Sequence, residues 1–107
     1  MDNVKNNEYY IKKIKKDIDY ITFHMEHVNK TDFDNNEILQ DAMMFRLIQI
    51  SENASQITSD FKASAPRIPW KDITGLRNRI VHDYGNVELG IVFSTLKNDS
   101  PKLKALL

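Results

Sequence analysis

The chain has 107 residues, no cysteine, fifteen basic and fifteen acidic side chains and no net charge. One compact domain fits that length, and 41% hydrophobic with 28% charged residues excludes a wholly disordered chain. The missing cysteines remove disulfides, thiolate zinc sites and thiol nucleophiles and suit a reducing compartment. The charge balance argues against a general DNA coat, which needs a basic excess to neutralise phosphates. No apolar run long enough for a bilayer is present, so the chain reads as a soluble cytoplasmic domain.

Three glycines and three prolines in long stretches without alternation favour helix throughout. Ile11, Ile14, Ile18, Ile21, Met25 and Val28 recur at spacings of three and four, one apolar stripe on a first helix of roughly 20 residues. Residues 29–33 break the pattern and read as a loop. Asp34, three residues before Glu37, offers a capping-box variant for a second helix from about Asn35 to about Asp60. Leu39, Ala42, Met43, Leu47, Ile50, Ala54, Ile57 and Phe61 supply its buried side. Residues 62–69, with Pro66 and Pro69, form the clearest connection. A third helix starts near Pro69 or Trp70 and stops by Gly85, a left-handed terminator. Val87, Ile91, Val92 and Leu96 propose a fourth helix, and Ser100-Pro101 opens a short fifth one. The expected architecture is all-α, an antiparallel four-helix-type bundle with a short additional C-terminal helix.

Chemistry concentrates in residues 75–85. Asn78 and His82 are four apart and hence neighbours on one helix face, as are Arg79 and Asp83. Arg77 and Tyr84 are about two turns apart, and Arg77 and His82 flank a face at about 140°. An arginine forks onto phosphate oxygens and stabilises charge building up on them. A histidine titrates near neutrality and can take a proton from an RNA 2′-hydroxyl or give one to a leaving oxygen. Such cleavage leaves a cyclic phosphate and calls for no metal or other cofactor. The plainer alternative is a surface Arg79–Asp83 pair, with His82 favoured by the helix C-terminal dipole.

Arg77-Asn78-x-x-x-His82-x-Tyr84 resembles the Arg-Asn-x3-His-x-Tyr signature of HEPN-domain proteins of the HepT type, the toxin half of HEPN/MNT toxin–antitoxin pairs. Ile68-Pro69-Trp70 is similar to that family's approach to its motif helix. Ile50-Ser51-Glu52-Asn53-Ala54 resembles its Ile-Gly-Glu-Ala-Ala stretch, with Ser51 for Gly and Asn53 for Ala. The resemblance implies a homodimer whose cleft joins the motif helices of both protomers. It implies a metal-independent ribonuclease in which Arg77 holds the scissile phosphate and His82 is general base or acid. Asn78 would orient His82 or the phosphate. Glu52 matches the family's Glu, within expected reach of Arg77 or Arg79, where structural and catalytic roles stay equally open. Tyr84 maps onto the tyrosine that the partner nucleotidyltransferase (MNT) antitoxin adenylates. A non-catalytic partner of such a transferase is the alternative.

Other clusters read more plainly. His24 and His27 are surface residues without a third metal ligand nearby. Lys12, Lys13, Lys15 and Lys16 form a solvated face or a phosphate-tracking rim for RNA. Trp70 is read as a core plug, Phe23, Phe45, Phe61 and Phe93 as core, and Tyr9 and Tyr10 stay unassigned.

Overall fold

The computed structural model describes residues 5–82, 85, 86 and 88–107, and all regular structure among them is helical. Helix α1 spans Asn7–Met25, with the Asn6 side chain accepting from the Tyr9 N–H at its start. Its stripe Ile14, Ile18, Ile21 and Met25 is buried, as the spacing predicts. Residues 30–34 are not loop but a short helix, α2 (Lys30–Asp34), closed by a reciprocal capping box between Asn29 and Asp32. That box removes the expected one: α3 (Glu37–Ser55) is capped by Asn36, whose side chain accepts from the Leu39 N–H. Asparagine is as good an N-cap as aspartate, and the chain uses it three times here.

The second long helix also ends earlier than its apolar pattern suggests. Ser55 closes α3, and Thr58 caps a separate α4 (Ser59–Ser64). Asn7 of α1 fixes that break, donating to the Thr58 hydroxyl and accepting the Thr58 N–H, both at 3.0 Å. Helix α5 (Trp70–His82) follows the proline segment. Trp70 plugs its start, donating Nε1–H to the Ala65 carbonyl and meeting the Phe61 ring edge-on. Beyond α5, Gly85 has φ of 103°, the left-handed value expected of a terminator.

The last two helices are one. Helix α6 (Leu89–Ser94) passes through a π-helical turn (Thr95–Asp99) into α7 (Ser100–Leu106) without leaving helical dihedrals. Ser100 is therefore not a cap but buried mid-helix. Pro101 supplies the reason: it has no N–H and its ring excludes the carbonyl four residues back. The chain widens by one residue instead of breaking, and the Ser100 N–H and Oγ both donate to the Thr95 carbonyl.

Helix α3 lies in the middle of a layer, packed against α1 on one side and α5 on the other, while α6–α7 crosses α1 behind it. Met43, Leu47, Ile50 and Ala54 face inward from α3 onto the α1 stripe, Leu96 and Leu103. The architecture is an all-α antiparallel bundle. Two of the four phenylalanines assigned to the core are outside it: Phe23 is 73% and Phe45 54% exposed. Phe33, in the segment read as loop, is wholly buried instead.

Candidate active site

Helices α3 and α5 approach through Ser51, which is 1% exposed. Its hydroxyl donates to the Thr74 carbonyl at 3.1 Å and accepts the Arg77 N–H at 3.2 Å. The Ser51 hydroxyl is thus a clamp that fixes the rotation of α5 about its axis. With that rotation set, Arg77 points along α3 and its Nε meets Glu52 Oε1 at 2.7 Å, both side chains about half exposed. Nη1 of Arg77 donates to Asn78 Oδ1 at 3.3 Å. Arg77 is 47% exposed, so part of its guanidinium is open to solvent.

Arg79 lies on another side of α5 and donates back to the Asp72 carbonyl at 3.3 Å. The structure therefore selects Arg77, not Arg79, as the partner of Glu52. It brings together Arg77, Asn78 and Glu52 of the expected set. His82 is the exposed last residue of α5, and no hydrogen bond or ion pair joins it to Arg77 or Asn78 among the described residues. Asp83 and Tyr84 lie outside the described residues, so the Arg79–Asp83 pair and the position of Tyr84 relative to the site are not part of this geometry. Val87 lies outside them as well.

The surroundings contain one residue the sequence reading misplaced, Phe45, and two it did not assign, Ile38 and Val81. Ile38, Phe45 and Glu52 are spaced by seven on α3 and share a face, and Val81 is one turn beyond Arg77 on α5. Phe45 is 54% and Val81 45% exposed, and Ile38, 84% exposed, extends this apolar strip away from the ion pair toward the start of α3. The signal was present in the sequence: Phe45 repeats the position of Glu52 two turns earlier, which an outward-facing carboxylate makes an outward-facing position. On the other flank, Asp17 of α1 is nearly buried and binds Arg46 Nη1 at 2.9 Å, while the Arg46 guanidinium sits 3.7 Å from the Tyr20 ring centre. His24 and His27 are exposed, and no group of three metal-ligating side chains occurs among the described residues. No helix among them is long and apolar enough to cross a membrane.

A cationic fork held by a carboxylate on an exposed helix face, with an amide beside it, can hold a phosphate. Comparison with known proteins gives the family: the one described as ribonuclease HepT-like matches residues 10–107. The chain belongs to the HepT-like ribonuclease family. Among its relatives, a Methanocaldococcus jannaschii protein provisionally named an RNase is 34% identical over 89 residues, 83% of this chain and 72% of that one. A Thermococcus cleftensis protein provisionally named ribonuclease HepT is 29% identical over 100 residues, 94% of this chain and 91% of its own length. Another M. jannaschii relative, 30% identical over 100 residues, carries a name joining γ-glutamylcyclotransferase to a provisional RNase, and the HepT-like chain spans 45% of it. No solved structure matches the chain significantly.

Proposed function

We propose that the chain is a single-domain, metal-independent endoribonuclease working as a homodimer, with Arg77 and His82 as its catalytic residues. The observation that carries this reading is the half-exposed Arg77 guanidinium, held at Nε by Glu52 and at Nη1 by Asn78. A phosphate bound there meets two N–H donors and a permanent positive charge, which gains strength as charge builds on the phosphoryl oxygens.

In the reaction, an imidazole takes the proton of the ribose 2′-hydroxyl, the 2′-oxygen bonds to phosphorus, and the P–O5′ bond breaks. The 5′-oxygen leaves with a proton from an acid, giving a 2′,3′-cyclic phosphate and a 5′-hydroxyl. Base and acid are both needed, and one protomer offers one imidazole on its motif helix. A two-fold partner supplies the second His82. The Ile38–Phe45–Val81 strip is the apolar surface beside the site on which that partner seats. Phe45→Glu is therefore expected to convert the dimer to a monomer in sedimentation analysis and to abolish cleavage. A variant that stays dimeric would place the interface elsewhere.

Tyr84, two residues beyond His82, is the acceptor for control. A nucleotidyltransferase antitoxin would direct the phenolic oxygen onto the α-phosphorus of ATP, with pyrophosphate leaving. The AMP so attached would add bulk and a negative phosphate to the motif segment, in competition with substrate phosphate. The test of activity is incubation of the purified protein, with Tyr84 unmodified by mass, with total RNA in EDTA. Cyclic-phosphate ends in the wild type and none with His82→Ala support the reading. No cleavage from a protein of correct dimer mass would favour a non-catalytic partner of the transferase.

Glu52 acts here as a positioning residue. A half-exposed ion pair contributes at most about 1 kcal/mol to folding, so its replacement is expected to leave the unfolding free energy nearly unchanged. Misplacing a phosphate-binding group by about 1 Å costs up to a hundredfold in rate. Glu52→Ala should lower kcat/KM roughly ten- to a hundredfold, and Glu52→Gln, which keeps an acceptor for Nε, should fall between. Equal losses of rate and of melting temperature would mark Glu52 as structural only.

A further inference from the structure

The amino-terminal half of α1 carries a charge pattern that the catalytic centre does not use. Between residues 5 and 16 the chain has five lysines against one glutamate. Lys13 and Lys16 are exposed and have no ion-pair partner among the described residues, whereas the nearby carboxylates are engaged elsewhere: Asp17 with Arg46 and Asp19 with Lys104. Like charges crowded on one helix disfavour it by a few tenths of a kcal/mol per pair, so helix stability is no reason for the cluster. Within it, Tyr9 is 37% exposed, with Lys5 Nζ and Lys13 Nζ each 5.7 Å from its ring centre and the Tyr10 edge against it at 5.1 Å.

The fold places this cluster level with the candidate site. Asn7–Thr58 at one end and Asp17–Arg46 at the other set the antiparallel register of α1 on α3. Interpolating between them, Lys12 and Lys13 stand opposite Ser51 and Glu52. Lys13 lies one turn before Asp17, and Tyr20 nearly one turn after it. Asp17 and Tyr20 both touch Arg46, so this strip borders α3. Tyr9 and Lys16 are the next residues outward from it. Two helix spacings of 8–10 Å separate α1 from α5, roughly 20 Å across the layer.

We propose that Tyr9, Lys13 and Lys16 form a subsite that holds the single-stranded RNA substrate away from the cut, tracking its backbone with the lysines and stacking a base on Tyr9. The inference rests on the ribonuclease reading and extends its site across the layer. An exposed tyrosine among cations is the pairing that unstructured nucleic acid needs, since the ring takes any base and the ammonium groups take phosphate. A second copy of the chain is a poor occupant, because a two-fold contact centred on the strip would set lysine against lysine. The acidic run Asp32, Asp34, Glu37 and Asp41 belongs to the opposite end of the α1–α3 pair. The neutral total charge therefore hides a polarised surface that steers a polyanion to the lysine end.

The experiment measures binding of a fluorescent 12-nucleotide RNA to full-length His82→Ala protein, with and without Lys13→Gln/Lys16→Gln. Loss of two phosphate contacts should flatten the plot of log affinity against log salt by about 1.4 and weaken binding roughly tenfold near 0.1 M salt. Lys62→Gln/Lys102→Gln, removing one partly buried and one exposed charge elsewhere, should change neither. Glutamine is a good helix former, so circular dichroism should stay unaltered. In an otherwise wild-type enzyme the same pair, or Tyr9→Ala, should raise KM for the 12-mer while kcat holds. Cleavage of a dinucleotide, which reaches only the Arg77 centre, should be unaffected. Unchanged salt slope and KM would overturn the subsite and leave the ribonuclease reading intact. Failure of the parent protein to bind RNA or cleave the dinucleotide would overturn both.

Discussion

Replacing His82 with alanine is expected to lower RNA cleavage by about 10²- to 10⁴-fold, the usual contribution of one positioned acid or base, without loosening the fold. His82 is exposed at the end of α5, and truncating such a side chain changes stability by about 0.5 kcal/mol or less. Activity and melting temperature should therefore separate cleanly. Single-turnover cleavage in EDTA reads the first, thermal circular dichroism the second. If His82 is the proton carrier, free imidazole in the buffer restores part of the lost rate to the alanine variant. Arg77→Ala should fall about as far by loss of phosphate stabilisation. The double variant should be little worse than either, because groups that serve one transition state are not additive. Cleavage of RNA by His82→Ala at the wild-type rate would remove the imidazole from the mechanism.

The pairing that orients Arg77 was only half legible in the sequence. Glu52 could be expected near the motif helix, but Arg77 and Arg79 are both within two residues of a helix face that periodicity alone cannot aim. What decides between them is the rotation of α5, and the Ser51 hydroxyl fixes that rotation by gripping the Thr74 carbonyl and the Arg77 N–H. Serine hydroxyls bond locally so often that nothing in the sequence marks this one as a clamp between helices. Asn78, one turn before His82 on α5, also accepts from Arg77, a contact between sequence neighbours that helix spacing does not single out.

The helix boundaries follow the same division. The stripe on α1 is decided by burial, and Ile14, Ile18, Ile21 and Met25 are buried as expected. Boundaries decided by one hydrogen bond do not show: the break after Ser55 depends on Asn7, fifty-one residues away from Thr58. The Ser100-Pro101 pair reads locally as a helix start, yet the packing of Leu96 and Leu103 on the same core, 1% and 9% exposed, holds the chain helical through the proline. A π-helical turn costs less than losing either contact. Similarly, Phe45 belongs to an apolar pattern but is turned outward, because Met43, Met44 and Leu47 already occupy the inward side of that turn.

Phe33 makes the opposite case and the largest expected stability change. The segment around it looks like a polar loop, with Asn29, Lys30, Thr31, Asp32 and Asp34 on either side. The Asn29–Asp32 box winds those residues into α2, which turns the single apolar side chain inward beneath the layer, against the Phe93 ring at 5.7 Å. Phe33→Ala should cost about 3–5 kcal/mol, a large share of the 5–15 kcal/mol that holds a domain of this kind. The melting temperature should drop by about 15 °C or more, and the urea midpoint should fall with an unchanged slope. Phe33 packs beside the start of α3, whereas Glu52 is fifteen residues after Glu37, roughly 20 Å along the helix. Well below the melting point, cleavage per folded molecule should consequently match the wild type. A loss of rate in protein that circular dichroism shows to be fully folded would mean that α2 reaches the site through α3, and that the bundle transmits strain along its central helix.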